Sequence, residues 1–195
     1  MPRFWNNGSL TVRWEICLIF ALALLLIPLR WLGAWITATV IHELCHYLAL
    51  RICGVPVYGV SVMSGGIRME TGPISGGKEL LCVLAGPVGA LLTLFCYRQF
   101  PATAVCVCVQ SLYNLLPIFP LDGGRALRCA AEAVFSEKMS KAICRAAAIG
   151  FLFLALCAGF YGTFLSNLGP LPLLAAITLF FRAKTPCKEG NLRVQ

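Results

Sequence analysis

Long runs without charged residues constrain the fold of this 195-residue chain more than any other feature. Two of them cover residues 80–97 and 99–121, and a third extends from Ala146 up to Arg182. Each is long enough for at least one membrane-spanning helix of about 20 residues. Only 12% of the chain is charged, against about one quarter of a typical soluble domain. These features predict a membrane protein.

Hydropathy and charge together predict an all-α polytopic membrane protein with about six transmembrane helices. The expected spans cover residues 16–29, 31–53, 80–97, 100–121, 146–165 and 168–181, between short polar tails at 1–13 and 183–195, the latter disordered. With the amino terminus inside, 14 of the 16 lysines and arginines lie on the cytoplasmic side, and only Arg30 and Arg98 lie outside. Cytoplasmic loops are enriched in these residues. We therefore expect a multi-pass protein of the cell membrane with both termini cytoplasmic.

The connection between the second and third spans, residues 54–77, has the pattern of a β-hairpin. Tyr58, Val60 and Val62 alternate with small residues, and the sequence Ser64-Gly65-Gly66 can form a turn before a second alternating segment. This small cytoplasmic or membrane-associated insertion can offer a free strand edge to an extended peptide. The alternative is a plain connector, because a sequence does not reveal an unpaired edge.

The many cysteines could indicate a disulfide scaffold, and the positive net charge could indicate a nucleic-acid-binding protein. Both features have simpler explanations. Most of the eleven cysteines lie inside apolar runs, where cysteine behaves as a small hydrophobic residue rather than as part of a disulfide scaffold. The net charge of +8 follows from membrane orientation, because no basic stripe with interleaved aromatic residues is present. We therefore expect no nucleic-acid partner.

Both histidines of the chain lie in the second expected span, in the sequence His42-Glu43-Leu44-Cys45-His46. Positions i and i+4 share one helix face, so the two imidazoles can bind one metal ion while Glu43 acts as a general base toward water. This is the arrangement of zinc peptidases. The alternative, two histidines with structural roles beside an unrelated glutamate, requires other partners to offset their desolvation in a membrane helix.

A catalytic zinc site usually has a third protein ligand, and Asp122 is the best candidate. The other acidic residues lie in loops, in tails or on the opposite side of the membrane. Asp122 is expected to end the fourth span, at a depth similar to the late part of the second. Pro117 and Pro120 break the helix before it, and Gly123-Gly124 is expected to loosen the backbone after it. The alternative is a helix-end carboxylate paired with Arg125 or Arg128.

Three motifs in order resemble the site-2 protease family of intramembrane zinc metallopeptidases (M50-type). They are His42-Glu43-Leu44-Cys45-His46, Ala85-Gly86-Pro87, and Asn114 with Pro117 followed by Leu121-Asp122-Gly123. The likeness covers about residues 31–130 and is strongest to the compact branch that includes stage-IV sporulation pro-sigma-factor processing peptidases. It implies His42, His46 and Asp122 as ligands of one Zn²⁺ and Glu43 as general base. It also implies that Asn114 holds the substrate backbone or the oxyanion, although an interhelical hydrogen bond is an alternative role for this amide.

The resemblance implies a zinc metalloendopeptidase that cleaves in or near a transmembrane segment of a membrane-protein substrate. Regulated intramembrane proteolysis of pro-sigma or anti-sigma factors, with a regulatory membrane protein as partner, is the expected role within the lipid bilayer. We expect one membrane-embedded domain over residues 1–195, without a PDZ or CBS domain, which leaves a role in sporulation open. A metal-ion transporter and a catalytically silent zinc-binding scaffold are alternatives. A transporter generally places polar groups in several spans, which is not the case here, and a scaffold has no need of Glu43.

Overall fold

The computed structural model describes residues 9–12, 14–63, 66–74, 76–96, 98–166 and 169–183. These residues are mostly helical, which confirms the expected all-α class with a small β insertion. In chain order the elements are β1 (Ser9–Val12), α1 (Trp14–Leu26), α2 (Leu29–Ile52), β2 (Val57–Met63), β3 (Gly66–Thr71), α3 (Gly76–Leu92), α4 (Pro101–Asn114), α5 (Asp122–Val134), α6 (Glu137–Phe160) and α7 (Leu171–Ala183).

Strands β2 and β3 form an antiparallel hairpin between α2 and α3, which confirms the β prediction for this connection. Val60 lies opposite Met69, and Val62 lies opposite Ile67. These are apolar positions of the two alternating segments, so the alternation sets the register of the hairpin. Residues 64 and 65 of the predicted turn lie outside the described residues.

The third strand of the sheet was not expected from the sequence. Ser9–Val12 forms β1, which pairs in parallel with β2 so that Ser9 lies beside Gly59 and Val12 beside Val62. The prediction of a simple tail over residues 1–13 is therefore wrong at this segment. The described sheet has the order β1-β2-β3, with β3 at one edge. The tail predicted at 183–195 lies outside the described residues from 184 onward.

Two of the described helices are long and apolar enough to cross a membrane. One is Gly76–Cys96, which is α3 with a 3₁₀ turn at its end, and the other is Glu137–Phe164, which is α6 with most of a π-helical turn. Helix α2 has 24 residues, or about 36 Å at 1.5 Å per residue, but its histidines and Glu43 lower its hydropathy. Helices α1, α4 and α7 have 13, 14 and 13 residues. The six-span arrangement therefore stays a prediction.

The described chain divides into two compact units, of which the first ends at Tyr113. Small side chains allow helices to approach closely, and in this unit Ala34 and Ala38 of α2 pack with Ala90 of α3 and Cys106 of α4. A second apolar cluster joins the end of α2 to β2 and α3 through Leu50, Val55, Val57 and Cys82. All ten cysteines in the described part of the chain are free thiols, and Cys82 and Cys106 serve as core residues, as predicted.

The second unit begins at Asn114 and contains α5, α6 and α7. A non-helical connection over residues 115–121, which includes a cis peptide bond at Phe119-Pro120, joins α4 to α5. The expected fourth span at 100–121 is therefore wrong at its end, because α4 stops at Asn114, three residues before Pro117. Asp122 does not end that helix but begins the next one.

Candidate metal centre

The two histidines of α2 turn their rings toward each other. Their positions are four apart on a regular helix, and the Nε2 atoms lie 3.1 Å from one another. Two nitrogens bound to one tetrahedral zinc at about 2.0–2.1 Å lie about 3.3 Å apart. His42 is almost completely buried, with 3% of its surface exposed. The spacing of the two donor atoms therefore fits a shared ion.

The Nδ1 atom of His46 lies 2.7 Å from the carbonyl oxygen of Cys82 on α3. A carbonyl oxygen only accepts hydrogen bonds, so Nδ1 carries the proton and donates it. Nε2 of the neutral ring then holds its lone pair on the side that faces His42. A second hydrogen bond that fixes the tautomer in this way is usual for histidines that bind metals.

Glu43 follows His42 directly on α2, and its side chain is half-buried. Its place on the helix is the one that the zinc-peptidase motif predicts, one residue after the first histidine. A carboxylate at this place in the motif can accept a proton from a water molecule held by the two imidazoles.

Asp122 is the first residue of α5, so its carboxylate lies in the first turn of a helix, where the helix dipole favours negative charge. The two glycines that follow do not loosen the backbone as expected, because both are buried inside α5. A Cβ atom at Gly123 would overlap the carbonyl of Leu115, and one at Gly124 would lie 2.5 Å from the carbonyl carbon of Ile118. The glycines therefore let the connection 115–121 pack directly on the first turn of α5, next to Asp122.

His42, His46 and Asp122 form a group that can hold a metal ion, because one ligand atom from each lies within 4.8 Å of the others. Two imidazole nitrogens and one carboxylate oxygen are a donor set of catalytic zinc sites, which keep a further position open for water or substrate. The residues that the structure brings together thus fit zinc.

Asn114 is the last residue of α4, and its side chain is half-buried. One turn earlier, Gln110 donates a hydrogen bond from Nε2 to the hydroxyl of Thr39 on α2, at 3.3 Å. This contact between α2 and α4 was not predicted. A glutamine inside an uncharged run was the available signal, because polar side chains in such helices commonly bond across to a neighbouring helix.

Comparisons with known proteins gave one family match and a structural match. Residues 67–158 match the model of peptidase family M50. This range contains Asn114 and Asp122, whereas the histidine motif lies before it. Among solved structures, the fold is similar to that of a site-2 protease from Methanocaldococcus jannaschii, with 22% sequence identity and a TM-score of 0.60 over 87% of this chain and 84% of that chain. A comparison with curated proteins gave no match.

Proposed function

We propose that the chain belongs to the site-2 protease family of intramembrane metallopeptidases and is a zinc endopeptidase acting on membrane proteins, which the family match over residues 67–158 and the fold similarity support. It hydrolyses a peptide bond in or near a transmembrane segment. The observation that carries this proposal is the convergence of the His42 and His46 Nε2 atoms, 3.1 Å apart, on the helix that also holds Glu43. The grouping of these histidines with Asp122 supports it further.

In the proposed hydrolysis, the metal ligands and the general base have separate roles. His42, His46 and Asp122 hold the ion, and the hydrogen bond from His46 to the Cys82 carbonyl keeps one ring in the tautomer that can bind it. When bound, zinc supplies Lewis acidity that polarises the scissile carbonyl and makes water acidic enough to react near neutral pH. The Glu43 carboxylate takes the proton from the attacking water and passes it to the leaving amine.

Asn114 is proposed to bind the substrate backbone. Its amide NH₂ can donate to the carbonyl oxygen of the scissile bond, on which negative charge develops, and its amide oxygen can accept from a substrate N–H. Asn114 is the last residue of α4, and the connection that follows it is not helical. This position suits contact with an unwound substrate segment.

The substrate is proposed to be a membrane protein that unwinds locally before cleavage. In a helix the carbonyl is hydrogen-bonded and shielded, so an extended conformation must come first. Strand β3 is one of the two edge strands of the described sheet, the other being β1, and we propose the β3 edge of the hairpin as the one that an extended segment joins. Pro-sigma or anti-sigma factors are the proposed substrates, a regulatory membrane protein is a proposed partner, and both termini are proposed to be cytoplasmic.

Substitution of the general base tests the proposal. Purified wild-type protein is reconstituted with membranes from cells that lack it, and new protein N-termini are identified by mass spectrometry. We expect N-termini inside or beside transmembrane segments with wild type, and a roughly 10²–10⁴-fold lower rate with Glu43→Gln. Glu137→Gln, an exposed acid on α6, is the matched control and should cleave normally.

Zinc content separates a catalytic defect from a folding defect. Glu43→Gln should bind as much zinc as wild type, because Glu43 is not a ligand. Cleavage by Glu43→Gln at the wild-type rate would contradict the proposed function.

A further inference from the structure

The imidazole of His46 lies against α3, where two features one turn apart determine its position. At Cys82, the backbone carbonyl accepts the Nδ1 proton at 2.7 Å. This carbonyl belongs to a residue with only 5% of its surface exposed, so water does not readily replace it. The contact allows one tautomer of the neutral ring, the one with its lone pair on Nε2.

Gly86, four residues later on the same helix face, leaves the space that the other side of the ring occupies. A Cβ atom built at Gly86 would overlap the His46 ring with Nε2 as the nearest atom, and it would lie 2.5 Å from Cδ2. Even the smallest side chain at this position therefore requires His46 to move. The atom that has to move first is the nitrogen that faces His42.

We propose that the Cys82 carbonyl and Gly86 form a seat on α3 that fixes both the tautomer and the direction of His46. They are positioning residues, because they act on the metal through His46 and not by contact with it. This inference rests on the proposed function in taking Nε2 as the zinc ligand. It goes further by assigning the Ala85-Gly86-Pro87 segment a task in metal binding that differs from helix packing.

A second glycine on α3 allows the positioning task to be separated from packing. A Cβ atom at Gly89 would lie 2.7 Å from Sγ and 2.9 Å from Cβ of Cys45 on α2. Gly89 thus also allows α2 and α3 to approach closely, but its neighbour is Cys45 and not His46. Gly86→Ala and Gly89→Ala both crowd the same helix pair, and only the first displaces a ligand.

The first test compares zinc binding of the two variants in detergent. We expect Gly86→Ala to bind zinc roughly 10–100-fold more weakly than wild type, the range typical of lost support for a metal ligand, while Gly89→Ala keeps near-wild-type affinity. Thermal unfolding with and without zinc gives a second readout, since a bound ligand stabilises the folded state. Zinc should raise the midpoint for wild type and Gly89→Ala, and much less for Gly86→Ala. Equal zinc affinity and an equal zinc-dependent shift in Gly86→Ala and wild type would overturn the proposal.

The second test is made on wild-type protein, and a variant is used only to assign the signals. The chain has only two histidines, so selective ¹⁵N labelling gives two rings, which His42→Gln assigns. In zinc-loaded protein we expect His46 to carry a proton on Nδ1 and the metal on Nε2. A His46 ring protonated on Nε2, in a protein that binds zinc, would overturn the positioning role of the Cys82 carbonyl and Gly86 but not the proposed function. A wild-type protein that binds no zinc would overturn the proposed function as well.

Discussion

At the residue scale, the site combines side chains whose roles follow from charge and donor type. His42 and His46 offer nitrogens, Asp122 offers an oxygen, and the Glu43 carboxylate is proposed to move a proton. Asp122 is the one member of this group that does not lie on α2. The contribution of this residue to metal binding is therefore the one that is most worth measuring separately.

Replacement of Asp122 should remove zinc from the protein. Asp122→Ala leaves two imidazoles as protein ligands, so we expect at least about a 100-fold loss of zinc affinity, more than the roughly 10–100-fold loss typical of outer-shell changes. Elemental analysis after equilibration with a competing chelator measures it. Glu132→Ala, which removes the carboxylate that pairs with Arg128 on the same helix, is the control and should keep its zinc. An Asp122→Ala protein with a full zinc ion per chain would exclude Asp122 as a ligand.

The sequence predicted these residues unequally well, for physical reasons. His42 and His46 are four apart on one helix, so local periodicity alone brings them together. Asp122 was selected by its chemistry and lies with the two histidines in the structure, but it was assigned to the wrong element, because the apolar residues 115–121 resemble the end of a span although they are not helical. The Cys82 carbonyl could not be predicted, since a backbone acceptor is present at every residue and has no sequence signature.

At the scale of elements, glycines allow close contacts between the segments that carry the site residues. The first turn of α5 packs on the connection 115–121 at Gly123 and Gly124, and α3 packs on α2 at Gly86 and Gly89. Strand β1 shows the limit of prediction at this scale. Its pairing with β2 joins segments about 50 residues apart in the chain, and four residues carry too little local pattern to indicate it.

Gly123→Ala should destabilise the protein and weaken zinc binding. The new Cβ atom would overlap the Leu115 carbonyl, and backbone cannot swing aside as a flexible side chain can, so we expect a loss of about 1–3 kcal/mol. Thermal unfolding in detergent, with and without zinc, measures both effects. Gly150→Ala, at a helical position with no atom within 4 Å of the new Cβ, should be close to neutral. An unchanged midpoint and zinc affinity in Gly123→Ala would show that the contact is not needed.

At the scale of the whole molecule, the chain combines a largely apolar composition with a group of possible metal ligands. Gly76–Cys96 and Glu137–Phe164 can each cross a membrane, while α2 carries histidines and a glutamate that are costly in lipid unless they bind a partner. Zinc is the proposed partner. The fold similarity to a site-2 protease extends over 87% of the chain.

The zinc environment of the wild-type protein is the most direct test of the central claim, because this cysteine-rich chain also offers ten described thiols. X-ray absorption at the zinc edge distinguishes nitrogen and oxygen ligands at about 2.0–2.1 Å from sulfur at about 2.3 Å. We predict one zinc ion per chain with only nitrogen and oxygen neighbours, including two imidazoles. A sulfur shell, or a protein that holds no zinc, would contradict a centre built from His42, His46 and Asp122.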